Sequence, residues 1–265
     1  MKPILIICGP TGTGKTKLAL KLAKKFNGEL INADSRQVYR GLDAITGKDR
    51  SEEIPIWLYD VVDTDQEFSV AHFVRLARSA INDIQKRGKL PIVVGGTGFY
   101  LRALTQSIDT ISIPPNRILR KQLAVLPIEE LQKRVGIHRL EKMNNSDRKN
   151  PRRLIRAIEV AGTTSPQTVT KYDALWIGLT MPLPALKKRI TERIESRWNK
   201  ALGEVGEDLP PILGAGPLLA FKHGEISKDE AILKWAVAEY QYAKRQLTWF
   251  RKQNGIAWYT ISHDK

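Results

Sequence analysis

The stretch Pro3–Thr16, PILIICGPTGTGKT, decides the fold. Its first part, Pro3–Cys8 (PILIIC), is an unbroken apolar run, the pattern of a strand buried on both faces of a parallel sheet. The remainder, Gly9-Pro10-Thr11-Gly12-Thr13-Gly14-Lys15-Thr16, satisfies G-x-x-x-x-G-K-[ST] at every position. Glycines in such a loop let backbone N–H groups converge on phosphate oxygens at the start of a helix, where the helix dipole also favours an anion. The helix itself is expected over Lys15–Phe26 (KTKLALKLAKKF), with Leu18, Leu22 and Phe26 at helical spacing. Gly9 to Thr16 are therefore the expected phosphate-binding set. Lys15 reaches the terminal phosphates, and the Thr16 hydroxyl is offered to Mg²⁺. The motif specifies a di- or triphosphate without saying which.

Further strands are expected at Glu29–Ala33 (ELINA), Ile56–Val62, Leu90–Val94 (LPIVV), Leu175–Leu179 (LWIGL) and Ile256–Ile261. An amphipathic helix is expected over Ser69–Lys86, with Val70, Phe73, Val74, Ala77, Ile81 and Ile84 on its apolar side. Gly95-Gly96-Thr97-Gly98 ends the LPIVV strand and opens a helix over Phe99–Gln106. Two long helices follow at Pro182–Leu202 and from Ser227, where Ser227 and Glu230 stand in the capping-box relation. Strand alternating with helix argues for a doubly wound α/β core with a parallel sheet. Between Pro114 and about residue 162 the texture becomes helical and basic (Arg117–Leu126, Ile128–Val135, Arg139–Met143, Asn150–Val160). We read a catalytic core of residues 1–113 and 163–265 carrying a small helical insertion at 114–162.

In an open α/β sheet the carboxyl ends of neighbouring strands share one crevice, which should bring the phosphate loop, Asp34 (in NADSRQVYRGLD) and Thr97 together. A hydrolytic enzyme with this loop wants a strand ending in an Mg²⁺-positioning aspartate, but LPIVV ends in GGTG. Asp34 can be a metal ligand, as in a kinase, a general base for an incoming nucleophile, or a helix cap; pattern alone leaves these open. Lys and Arg number 43 against 28 Asp and Glu, a formal charge of +15 that suits polyanionic partners. Arg148, Lys149, Arg152, Arg153 and Arg156 cluster at the Asn150-Pro151 helix start, and Arg189, Arg193 and Arg197 recur every four residues. Salt bridges to Glu192 and Glu195 could account for part of that second stripe. Trp249 and Phe250 read as core more readily than as base-stacking platforms. The single cysteine, Cys8, excludes a disulfide framework, reads as a small buried hydrophobe, and suits the reducing cytosol. The four histidines, His72, His138, His223 and His263, lack metal-ligand spacing, which excludes a structural zinc site. No apolar run approaches membrane-spanning length and none reads as a signal peptide, so a cytoplasmic protein is expected.

GPTGTGKT, INADSRQVYRGLD and VVGGTGFYLRAL, with NPRRLIRAIEV, RITERIESRW and YAKRQLTWFR, resemble the tRNA dimethylallyltransferase (tRNA isopentenyltransferase) family of bacterial type, from about Pro3 to Trp258. The resemblance implies a P-loop NTPase-like core and transfer of a dimethylallyl group from dimethylallyl pyrophosphate to an adenine beside a tRNA anticodon. It implies the catalytic set Lys15, Thr16, Asp34, Thr97 and Arg193, with Asp34 as general base, Arg193 and Lys15 on the leaving pyrophosphate, and Mg²⁺ on Thr16. tRNA contacts are implied at Asp34, Ser35, Arg36, Gln37, Arg120, Arg152, Arg153, Leu154, Ile155 and Arg156, in a protein expected to act as a monomer. Pro211–Pro217 (PILGAGP) departs from the family pattern, and no contact is carried over there. Two rival readings are a P-loop kinase or NTPase, and an isopentenyltransferase acting on free adenine nucleotides. The basic surface argues against the second, since a nucleotide needs no extended basic face.

Overall fold

The computed structural model describes residues 3–106, 108, 110–111, 113–161 and 172–262. Among these, the strands are β1 (Pro3–Cys8), β2 (Gly28–Asn32), β3 (Ile56–Trp57), β4 (Leu90–Gly95), β5 (Asp173–Thr180) and β6 (Ile256–Thr260). The first helices are α1 (Lys15–Phe26), α2 (Asp43–Thr46), α3 (Val70–Lys86) and α4 (Gly98–Thr105). Then come the short α5 (Arg117–Ala124), α6 (Ile128–Val135), α7 (Ile137–Glu141), α8 (Asn145–Arg148) and α9 (Pro151–Glu159). The last are α10 (Leu183–Glu204), α11 (Ala215–Lys222) and α12 (Lys228–Arg251). The chain divides into two compact units, Met1–Gln106 with Thr170–Lys265, and Ser107–Val169. The expected boundary between 162 and 163, like His263, lies outside the described residues.

In the first unit all six strands run parallel in the order β3-β2-β4-β1-β5-β6. The wholly apolar β1 sits at the centre, where both faces are covered, and Ile4, Ile6 and Ile7 are at most 1% exposed. β2 carries a charge into this environment. Its Glu29 side chain, 2% exposed, receives Arg87, Lys89 (2.7 Å) and the Trp57 indole N–H (2.8 Å). These partners, Arg87 foremost, pull its carboxyl down to about 2. α3 buries the face its spacing predicts, with Ser69 accepting from the His72 N–H as N-cap. α1 behaves differently: Ala19 and Ala23 are its buried positions, while Phe26 at its last turn is 53% exposed. The Ile56–Val62 run shortens to the two residues of β3 and one isolated bridge between Tyr39 and Val62. Leu58 and Asp60 follow β3 with φ of +69° and +55°, which no ladder accommodates. α10 and α12 form a second layer with α2, sharing a core that includes Ile190, Ile194, Trp198, Trp235 and Ala243. PILGAGP, which carried no expected element, supplies the N-cap Gly214 and the first residues of α11, Ala215 to Pro217.

The Ser107–Val169 unit is a cluster of short helices around Leu123, Leu131, Val135, Leu154 and Ile155. Three of its helices start at asparagine caps: Asn116, Asn144 and Asn150 each accept a backbone N–H from three residues on. Leu154 (0% exposed) and Ile155 (8%), both in the RRLIR string expected at the tRNA-contacting surface, have their side chains in this unit's core.

Candidate active site

Register brings the site together. Cys8 stands beside Gly95 and Asn32 beside Val94, so the loops leaving β1, β2 and β4 emerge side by side. The Ala33 N–H donates to Val94 O (2.8 Å) and the Thr97 N–H to Ala33 O (3.2 Å), tying the second and third of these loops. The phosphate loop ends at Gly14, whose φ of +82° is left-handed and forms the N-cap of α1 without any side-chain cap. The first N–H groups of α1 are thus left for an anion. Within the loop, Lys15 Nζ and Thr13 Oγ1 both donate to Pro10 O, at 2.7 and 2.8 Å. Gly9, Pro10 and Thr13 shape the loop, whereas Thr11, Gly12, Gly14, Lys15 and Thr16 line a cavity of about 600 Å³.

The same cavity takes Asp34 from the end of β2 and Arg193 from α10. Asn32, 2% exposed, holds the acid's backbone: its Oδ1 accepts from the Asp34 N–H (3.0 Å), and its Nδ2 donates to Asp34 O and Leu58 O. Asp34 Oδ1 then accepts the Arg36 N–H at 2.9 Å, an Asx turn and not the cap of a helix. Thr97 Oγ1 accepts the Ser35 N–H (3.0 Å) and lies 3.4 Å from Ser35 Oγ, so Thr97 supports this segment from beside the cavity. Gln37 reaches across to α2, donating to Thr46 O and Gly47 O. α2 is itself capped from a distance by Glu204, whose two oxygens accept the Ala44 and Ile45 N–H groups at 2.8 Å.

The arginine stripe of α10 is explained by its neighbours in sequence. Arg189, Arg193 and Arg197 each precede a buried residue (Ile190, Ile194, Trp198), so the stripe is carried along the edge of the packed face. Arg189 and Arg193 reach the cavity. Arg197 instead pairs with Glu239 of α12 and stacks over Trp235 at 4.9 Å, a tertiary pairing and not one within its own helix. Burial is the main cause that lowers Lys15 to about 8; Asp34 opposes it and Arg193 adds to it. A partner anion in the cavity would act against this lowering. Cys8, at the foot of the loop, is fully buried and its thiol is pushed up to about 12, an inert packing group.

Several cavity residues went unassigned in the sequence: Asp49, Tyr59 and Arg189. Tyr59 stands between left-handed Leu58 and Asp60, and the surroundings hold both: Asn32 the Leu58 carbonyl, Lys48 and Arg50 the Asp60 carboxylate. Two non-glycine residues in that region mark a segment kept strained by its neighbours at a functional site. Behind the cavity, buried Gln246 and the Tyr242 hydroxyl come from α12 to the loops, Tyr242 beside Thr97 and Gln246. Phe250 is core as expected, while Trp249 is only partly buried, edge-on to Phe250 at 5.1 Å.

In the other unit, three of the four expected tRNA-binding arginines are paired. Arg120 (2.9 Å) and Arg156 converge on Glu159, whose side chain is 2% exposed, and Arg153 pairs with Asp147. Arg156 also donates to Thr110 O and Ile113 O, and Arg152 is exposed. Among the described residues no helix is long and apolar enough to cross a membrane.

The comparisons agree with this geometry. Residues 37–253 match the family model described as IPP transferase. The chain is 39% identical over 265 residues to tRNA dimethylallyltransferase 1 of Geotalea daltonii, covering 94% of this chain and 86% of that one. It is 38% identical to the tRNA dimethylallyltransferase of Anoxybacillus flavithermus, covering 98% and 91%. Its fold is similar to the crystal structure of a full-length tRNA isopentenylpyrophosphate transferase from Bacillus halodurans (TM-score 0.72, 33% identity, covering 98% and 90%). It is also similar to a eukaryotic dimethylallyltransferase acting on tRNA (TM-score 0.82, 29% identity, covering 98% and 74%). With a family model spanning most of its length and relatives above one-third identity, this chain belongs to the IPP transferase family.

Proposed function

We propose that this chain transfers a dimethylallyl group from dimethylallyl pyrophosphate to the exocyclic amine of the adenine 3′-adjacent to the anticodon in tRNA, releasing pyrophosphate. The observation that carries this reading is one cavity in which a phosphate loop with Lys15 and Arg193 meets the carboxylate of Asp34. The names of the relatives point the same way. In this reading the amine nitrogen attacks the first allylic carbon, the carbon–oxygen bond breaks, and its electron pair leaves with pyrophosphate. The amine proton passes to Asp34. Negative charge grows on the leaving group, and Lys15, Arg193 and the open N–H groups of α1 are aimed where it grows.

Mg²⁺ fits the donors present. Among the described residues no three His, Cys, Asp or Glu side chains form a metal cage. The Thr16 hydroxyl and the Asp34 and Asp49 carboxylates border the cavity, which suits an ion that keeps waters and substrate phosphate oxygens. Bound there, Mg²⁺ supplies charge neutralisation of the pyrophosphate. We assign catalysis to the unit that carries the sheet, with Ser35, Arg36 and Gln37 presenting the acid's segment to tRNA. We assign tRNA-backbone contact to the Ser107–Val169 unit through Arg120, Arg152, Arg153 and Arg156, in a protein acting as a cytoplasmic monomer.

The test is incubation with Mg²⁺, dimethylallyl pyrophosphate and unmodified tRNA reading codons that begin with U, followed by digestion and mass detection of prenylated adenosine. Parallel reactions replace tRNA by AMP, or the donor by ATP. Product from tRNA alone is expected; product from AMP moves the assignment to the nucleotide enzyme, and ATP turnover without prenyl product to the kinase. Asp34→Ala should lower transfer by about 10²–10⁴-fold with tRNA binding retained. Lost binding with normal turnover would remove Asp34 as the base.

A further inference from the structure

The phosphate loop and the GGTG turn are joined by a residue that belongs to neither. Gln246 of α12 is 5% exposed, and its amide is used at both ends. Its Oε1 accepts the Thr11 N–H at 2.8 Å, and its Nε2 donates to Gly96 O at 2.9 Å. A Cβ at Gly96 would run into that same Nε2, so the second glycine of GGTG is the space in which the amide sits. The Thr11 N–H is thereby committed to Gln246, which fixes the loop residue next to Pro10, the carbonyl that anchors Lys15. On the other side, the residue after Gly96 is Thr97, which holds the Ser35 N–H and hence the Asp34 segment. One amide therefore stands between the group that receives pyrophosphate and the group that receives the amine proton.

We propose that Gln246 is a positioning residue that sets the separation of the departing pyrophosphate from the attacking amine. The proposal rests on the prenyl-transfer reading above. The bridge spans only two hydrogen bonds, the one to Gly96 buried and the one to Thr11 partly so. Reacting atoms that sit about 1 Å out of place can cost on the order of 10²-fold in rate, without weakening either substrate's own contacts. Gln246 does not touch the cavity, so its loss should act on alignment alone.

Two variants test this. Gln246→Met keeps the volume and removes both bonds; Gln246→Glu keeps an acceptor for the Thr11 N–H and loses the donor to Gly96. The expected result is kcat lower by about 30- to 100-fold in Gln246→Met, with Gln246→Glu between it and wild type. Affinities for inorganic pyrophosphate with Mg²⁺ and for unmodified tRNA, titrated separately, should stay within about threefold of wild type. Should Gln246→Met fail to melt cooperatively, Gln246→Glu alone decides by the same split between kcat and affinity. A kcat within about threefold of wild type in a folded variant overturns the proposal, as does pyrophosphate affinity falling by the same factor as kcat, because Gln246 would then only hold the loop together. Absence of prenylated adenosine from wild type would overturn the transfer reading and the proposal together, whereas active wild type with an unaffected variant overturns the proposal alone.

Discussion

The two units hold their basic side chains by opposite means. In the sheet unit the groups of the site come from β1, β2, β4, α10 and α12, and they meet through strand register and buried amides that reach across the sequence. In the Ser107–Val169 unit the arginines sit on short helices started by asparagine caps and packed on a handful of apolar side chains. Helices of that length are not stable alone in water, so this unit depends on its small core and its caps. The first arrangement buries and perturbs its lysine; the second leaves its cations partnered by carboxylates such as Glu159 and Asp147. Long-range hydrogen bonds fix the groups of the first unit, whereas ion pairs within and between short helices fix the arginines of the second.

The largest effect that would break this contrast is in the small core. Leu154→Ala, at a fully buried position, should destabilise the Ser107–Val169 unit by about 2–5 kcal/mol. Binding of tRNA should weaken with it, while pyrophosphate affinity, read by titration, stays unchanged; parallel loss of both would show that the units are not independent. A smaller effect sharpens the other side. Lys15 is lowered to about 8 in the free protein and regains its charge against pyrophosphate, so binding takes up a proton above that pH. Affinity should be flat below pH 8 and fall by up to about tenfold between pH 8 and 9, with buffer-dependent heats reporting the proton. Flat affinity across that range would show that Lys15 is already charged before binding. The smallest effect is at a cap: Asn150→Ala should cost about 1 kcal/mol, seen as a lower melting temperature, with transfer at saturating tRNA preserved.

The phosphate loop, five of the strand positions and the Ser227 cap were legible because each is written within a few consecutive residues: apolar runs, glycine spacing, a hydroxyl before a helical period. Asp34 and Thr97 were legible through topology, since strand ends in such a sheet share a crevice. Asp49 and Tyr59 were not, because their place in the cavity follows from a loop held by Lys48 and Arg50 through Asp43 and Asp60, a network without local periodicity. Gln246 left one trace, the glycine at 96, and that trace is uninterpretable until its partner is seen. The burial of the Leu154 and Ile155 side chains was hidden because RRLIR reads as one basic string, whereas a helix turns its two apolar residues inward and its arginines outward. The helix α11 was missed because glycine and proline in PILGAGP mask a run that packs at its end.

The central strand carries a consequence for how the molecule comes into being. Leu5 lies between Ile92 and Leu175, and the loop that follows it waits for Gln246. During synthesis β1 therefore emerges well before both of the strands that flank it, a topology that folds slowly and leaves apolar edges bare in the meantime. A nascent chain holding β1, β2 and β4 has a phosphate loop in sequence but not the amide that seats it. Competence for catalysis is thus gated by elongation, and a ribosome stalled before α12 would display a protein that has its signature motif and no finished site.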